Sequence, residues 1–353
     1  MKSNMKQFFT ILAVMLALPL LAENSPYLKH VYEYLPAPGQ FVNVMPTYEE
    51  GDDAEAMRQK AEEAIADNAH GMICLGGWGG YVVFGFDHPV VNVPGENDFI
   101  VEGNAFYANA SIGAEGGGSC EPGIVMVSRD DNCNGLPDDE WYELAGSEYT
   151  NPLTVHGYRV TYERTPSDHV ATPDTKQKYR IDTTHVHWTD NQGGEGYLVK
   201  IKSHTQPYYP QWVNDDVLTF TGARLPDNYE WTGSQFVLYP YAYGYADNHP
   251  DSAPEAQLNI EWAVRTDGTP VYLDAVDFIK VYTAMQQQLG MIGETSTEIM
   301  GARDLHPDAE IQTDVRYQMS DIRCQKMLRD GQLLIIRDNQ AFNPLGTKIL
   351  NIY

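Results

Sequence analysis

From Met72 onward apolar residues come in short β-branched or aromatic runs, interrupted by Gly, Asn, Asp and Pro at intervals of about ten residues. The runs are MICL, YVVFGF, DFIVEGNAF, GIVMVSR, WYELA, GYRVTYER, THVHW, GYLVKIK, DVLTFTGARL, QFVLYPY, LNIEWAV and DFIKVYT. Their spacing predicts an all-β fold, a large β-sandwich or jelly-roll-like domain. WAVRTDGTPVYL and TDNQGGEGYLV predict hairpins, with Asp267-Gly268 and Gly193-Gly194 supplying positive φ. No internal repeat of fixed period is visible, which argues against a propeller or solenoid.

A different period precedes these strands. In GDDAEAMRQKAEEAIADN the residues Ala54, Met57, Ala61, Ala64 and Ile65 recur at helical spacing, and Asp52 with Glu55 resembles a capping box. One N-terminal helix packed on a sheet is expected. Residues 24–50, rich in Pro and Tyr, read as an extended lead-in. After Glu310 the texture changes again: CQKMLRDGQLLIIRDNQAFNPLGTKILNIY predicts two or three small strands with turns at Asp330-Gly331 and Asp338-Asn339. The expected division is a leader over 1–22, a β-sandwich domain over 23–310, and a small C-terminal β module over 311–353.

The leader is expected because Lys2 and Lys6 precede an apolar run from Phe8 to Leu21 and the small residue Ala22. That run is shorter than the roughly 20 residues that span a bilayer, and no later stretch is longer, so an exported chain that does not span the membrane is implied. No Cys lies near the cut, so a lipoprotein anchor is not indicated. With 23 basic and 49 acidic residues the net charge is −26, a field that repels nucleic acid and attracts cations. In an oxidising compartment Cys120 and Cys133 could close a loop; buried thiols are the alternative.

The sharpest chemical signal is DDNCNGLPDDE. Asp130, Asn132, Asn134 and Asp138 place oxygen side chains at positions 1, 3, 5 and 9, with Gly135 at the turn and the Leu136 carbonyl at position 7. Hard oxygen donors at this spacing suit calcium, in a structural role. Position 12 is Trp141 rather than Glu, so the loop is closer to a nine-residue hairpin loop than to an EF-hand; a metal-free Asx-rich turn is the alternative. The glycine clusters LGGWGG and AEGGGSCEPG are followed by no helix and no Gly-Lys-Ser/Thr, so they suit close crossing of strands better than phosphate. His185 and His187 point to one face of a strand, a spacing metal sites use; no third ligand is recognisable by spacing, although Asp182 and Asp190 lie nearby, and ordinary cross-strand packing beside Trp188 is the alternative. Neither a nucleophile elbow nor a Ser/His or Cys/His arrangement is present, and no catalytic residue is assigned. In the aromatic loops, Trp78, Tyr243 and Tyr245 with Asp247 and Asn248 could stack on and anchor a sugar or planar ligand; the alternative is that the rings pack the core.

Taken with EYLPAPGQFVN, YYPQWVNDDVLTFTGARL, YGYADNHPD and VDFIKVYTAMQQQLGMIGETSTEIMGARDLH, these segments resemble a family of secreted Bacteroidota cell-surface proteins, often labelled cell-surface or PKD-domain-like proteins. The likeness runs over residues 26–306. It implies a large β-sandwich without a defined catalytic activity, and a place beside TonB-dependent outer-membrane transporters, including corrinoid-uptake loci. The implied role is capture of an extracellular small molecule or glycan. Where that family's acidic loop commonly carries a first Gly, this chain has Cys133. The tail, with Phe342, Asn343 and Gly346, resembles a type IX secretion sorting module. Two rivals stay open: an envelope interaction protein without a small ligand, and an extracellular polymer hydrolase.

Overall fold

The computed structural model describes residues 24–108 and 115–311, together with the backbone of four strands in the tail. The expected leader lies outside the described residues. The fold is all-β with one α-helix among the described residues, Ala54–Ile65.

At the centre is an antiparallel sheet in the order His30–Leu35, Tyr81–Gly85, Phe278–Thr283, Gly123–Ser128, Trp141–Leu144, Ala263–Val264, with Tyr245–Ala246 also pairing to Gly123–Ser128. Successive side chains leave opposite faces of a strand. Here both faces are buried: Val82, Phe84, Val125, Val127, Ile279 and Val281 enter one core, while Ile124, Met126 and Tyr282 enter another. A sheet covered on both sides accounts for apolar runs without polar alternation, as in YVVFGF. Glu33, Glu143 and Lys280 are charged residues on its strands, and the Lys280 ammonium lies 3.8 Å over the Tyr81 ring.

The second layer is a four-stranded antiparallel sheet in the order Glu195–Ile201, Arg180–Asp190, Val155–Glu163, Val217–Arg224. Tyr158, Val160, Tyr162, Val186, Leu198 and Phe220 pack its inner face on the central sheet, which gives the expected sandwich. Burying each such side chain contributes about 1.5–3 kcal/mol. The helix seals the other face through Met57, Ala61 and Ile65.

Several local expectations change. The helix is capped by Asp53, whose carboxylate accepts from the Ala56 amide at 2.9 Å. Asp52 instead accepts from the Glu49 amide and from Lys60, both at 2.7 Å, and Glu55 turns to Arg58. The extended lead-in contributes an edge strand to the sheet, His30–Leu35. LNIEWAV is split by a 3₁₀ turn at Ile260–Trp262, where Asn259 accepts from the Glu261 amide. The hairpin joining Arg180–Asp190 to Glu195–Ile201 does turn at Gly193, with φ +85°.

The LGGWGG glycines serve close approach. Gly76 and Gly79 have φ of +69° and +89°, and a Cβ on Gly80 would overlap the Leu75 carbonyl and the Ala37 amide. Of the two readings of Cys120 and Cys133, the link is not made: Cys120 is a thiol buried against Leu238 and Leu289, whereas Cys133 is exposed on the acidic loop. In the tail, Gln325–Arg329, Gln332–Arg337, Gln340–Phe342 and Lys348–Ile349 form an antiparallel ladder of their own. Asn343 and Gly346 lie outside the described residues, and Phe342 is described by its backbone alone.

Candidate functional site

The acidic loop follows strand Gly123–Ser128 and is moored to the sheet, because the Asp130 amide donates to Asp277 Oδ2 at 2.8 Å. The Asp130 carboxylate turns inward and accepts from the amides of Asn134 (3.0 Å) and Gly135 (2.9 Å). Across the loop, Asp138 accepts from Asn134 Nδ2 at 3.0 Å and Asn132 Nδ2 at 2.9 Å. Those bonds, from Asn132 first and then Asn134, hold its carboxyl below the usual range. Cys133 and Gly135 take positive φ, +59° and +77°, to close the turn. The five predicted positions therefore fall in one loop, where the Asn132 and Asn134 Oδ1 atoms accept from the amides of Asn134 (3.0 Å) and Leu136 (2.7 Å) and the oxygen chemistry is that of carboxylates, side-chain amides and a backbone carbonyl. This set fits a hard cation.

A second acidic group was not legible. Oxygens of Glu121, Asp247 and Glu298 all lie within 4.8 Å of one another. Asp247 sits at φ +51°, a costly conformation for a non-glycine residue. Its carboxylate accepts from the amides of Asn104 (2.9 Å) and Glu298 (3.0 Å). Glu298 accepts from Ser296 Oγ and from Asn104 Nδ2 at 3.4 Å. Burial and then mutual repulsion drive Glu121 and Asp247 well above the carboxylate range, and burial raises Glu298 to about 7. No Lys or Arg forms an ion pair with the three among the described residues. Carboxylates this close in a dry site do not all ionise; shared protons or a hard divalent cation must neutralise them.

The aromatic candidates do not gather. Trp78 and Tyr245 are 1% and 2% exposed. Trp78 packs edge-on to Tyr158 at 4.8 Å, and the Tyr245 hydroxyl accepts from the Glu148 amide at 2.9 Å. Asn248 is also interior, with its amide side chain bridging the Tyr241 backbone at 2.8 and 2.9 Å. Tyr243 is the exposed member and leans on Trp262. Thus Trp78, Tyr243, Tyr245, Asp247 and Asn248 do not line one concavity: the glycine pairs around Trp78 let the backbone close over it, and Asp247 belongs to the carboxylate group instead.

A cavity does open on the second sheet. One lobe, about 310 Å³, is lined by His169, Asp182, His185, Lys200 and Thr205 among others; an adjoining lobe of about 470 Å³ adds Glu163, His187 and Tyr197. The pairing between Arg180–Asp190 and Glu195–Ile201 slips between Asp182 and Val186, and such a bulge re-aims side chains. Asp182 accepts from the amides of Thr172 (3.0 Å) and Thr184 (3.1 Å) and stands 2.7 Å from His169 Nε2 and 3.4 Å from His185 Nδ1. Burial works against its charge, yet these partners keep its carboxyl below the usual range. Burial and then the Lys200 charge push His185 down to about 4, so the ring is neutral.

No family model matches the chain, and no curated protein is similar to it.

The pairing of His185 with His187 was therefore only a partial guide. His187 faces Glu163 at 3.2 Å and packs on Tyr197, while His185 joins Asp182 and His169. His169 and Lys200 arrive from a loop and the neighbouring strand, and no spacing rule reaches them; the nearby Asp182 was the one available hint.

Proposed function

We propose that this is an exported cell-surface or secreted binding protein, stiffened by structural calcium, that captures an extracellular small molecule or glycan. The observation that carries the reading is the two-lobed cavity on the second sheet. It is lined by an Asp182–His169–His185 cluster, with Asp182 buried and both histidines half-buried, and Tyr197 stands exposed at its side. Small-molecule sites have this build, a rigid concavity of about 300–1,000 Å³ with a few converging polar groups. Asp130, Asn132, Asn134, the Leu136 carbonyl and Asp138 would hold the calcium, whose contribution is to rigidify the loop. The net charge of −26 favours cation retention.

The likeness to Bacteroidota surface proteins, which sit beside TonB-dependent transporters, supports the same reading and suggests corrinoid or glycan as cargo. Thermal unfolding of the mature protein, with calcium, with chelator, and with a corrinoid and glycan panel, tests it, because a ligand of the folded state raises the midpoint. A calcium-dependent rise that disappears in Asp130→Ala and Asp138→Ala is expected, together with a further rise for one panel member. A midpoint indifferent to chelator refutes the calcium part; a midpoint indifferent to every panel member refutes capture.

A further inference from the structure

Two polar groups in the smaller lobe lack the partner their chemistry calls for. Lys200 stands directly across from Asp182 in the strand register, yet its ammonium donates to no acceptor among the described residues and instead lies 5.8 Å over the Tyr208 ring. Asp182 does not serve it, because its oxygens are taken by Thr172, Thr184, His169 and His185. The second group is His185. Its Nδ1 faces Asp182, which leaves the lone pair on Nε2; that nitrogen is shielded from solvent and meets no donor. An unmet buried acceptor costs about 1–3 kcal/mol. Lys200 and His185 both line the lobe, which thus holds a cation without an acceptor and, just beneath its wall, an acceptor without a donor.

We propose that this cavity binds a small hydroxycarboxylate of sugar size, a hexuronate being the class that fits, with its carboxylate on Lys200 and a hydroxyl directed to His185. The inference rests on the capture reading and deepens it. A carboxylate supplies the charged acceptor, and the hydroxyl beside it supplies the donor. The adjoining lobe shares Thr165, Pro166, His169 and His185 with the first and offers the Tyr197 ring, against His187 at 5.1 Å, as a flat face for a sugar ring. Lys200 is the one Lys or Arg lining the first lobe, and because Asp182 is taken up by other donors its ammonium gives an anion a point of attachment.

Isothermal titration of the mature protein with D-glucuronate, D-glucose and acetate tests this, with Lys200→Met and Tyr197→Ala as variants whose folding is verified by thermal unfolding. Saturable glucuronate binding is expected, with glucose and acetate at least tenfold weaker. Lys200→Met should weaken glucuronate about ten- to a hundredfold, the loss of one hydrogen bond to a charged group. Tyr197→Ala should weaken it less. Glucose binding as tightly as glucuronate, with Lys200→Met without effect, overturns the acid-sugar assignment and leaves capture at this cavity standing. Failure of glucuronate to bind while a panel ligand still raises the unfolding midpoint also overturns it. Failure of all ligands overturns both readings.

Discussion

Glu298→Gln should stabilise the protein, although it replaces a buried residue with hydrogen-bond partners. Burial lifts the Glu298 carboxyl from 4.5 to about 7. A group whose folded pKa is raised contributes its full stability below the unfolded value and loses it as pH rises through the folded one. The window here runs from about pH 4.5 to about pH 7. Above it the folded chain must ionise Glu298 beside Glu121 and Asp247, at a cost of roughly 3 kcal/mol at about 1.4 kcal/mol per pH unit. Gln keeps the shape and carries no charge; its single Oε1 accepts from Asn104, and the Ser296 hydroxyl can turn to accept from its Nε2. At pH 8 in chelator the variant should therefore melt roughly 5 °C above the wild type, taking about 2 °C per kcal/mol for a domain of this size. At pH 4 the two should melt together. Differential scanning calorimetry at both pH values, with and without calcium, provides the comparison. A Gln variant equally destabilised at pH 4 and pH 8 would refute the reasoning, since hydrogen bonding rather than charge would then govern the site. With Asp130→Ala present in both proteins to remove the loop's contribution, a calcium gain seen with Glu298 and lost with Gln would show that a cation, rather than protons, neutralises the three carboxylates.

Two other outcomes follow from the structure. Asp53→Ala should lower stability by about 1 kcal/mol through loss of the helix cap, whereas Asp52→Ala should remove a half-buried ion pair with Lys60 and cost less; urea titration of both variants decides which residue caps. In a Cys324→Ser background, a thiol reagent should label Cys133 in the native state and reach Cys74 and Cys120 only on unfolding, because both are buried and burial raises their thiols. Mass spectrometry after a short pulse reads this directly, and early labelling of Cys120 would contradict its placement.

The strands were legible because a sheet buried on both faces writes itself as uninterrupted Val, Ile and Phe, as in YVVFGF and GIVMVS. The acidic loop was legible because all its oxygens come from nine successive residues. The carboxylate group was not: Glu121, Asp247 and Glu298 are far apart in the chain, the first two brought together by the pairing of Tyr245–Ala246 with Gly123–Ser128 and the third by its amide on Asp247. The cavity residues share that difficulty, with His169 on a loop, Asp182 and His185 on a bulged strand, and Lys200 on the next strand. Trp78 and Tyr245 misled for another reason. A large ring with a polar edge is equally at home in a core corner and at a binding face, and the choice is set by the glycine crossings around it.

Because the central sheet has no free face, its residues answer to two neighbours at once. A substitution there must satisfy the helix side and the outer-sheet side together, whereas the outward positions of the second sheet answer to one neighbour or none. The molecule is therefore divided into a part that resists change and a part that accepts it. Drift in the cavity lining can retune what is held without loosening the body that holds it, and related chains should differ first at the outward positions around His187 and Tyr197.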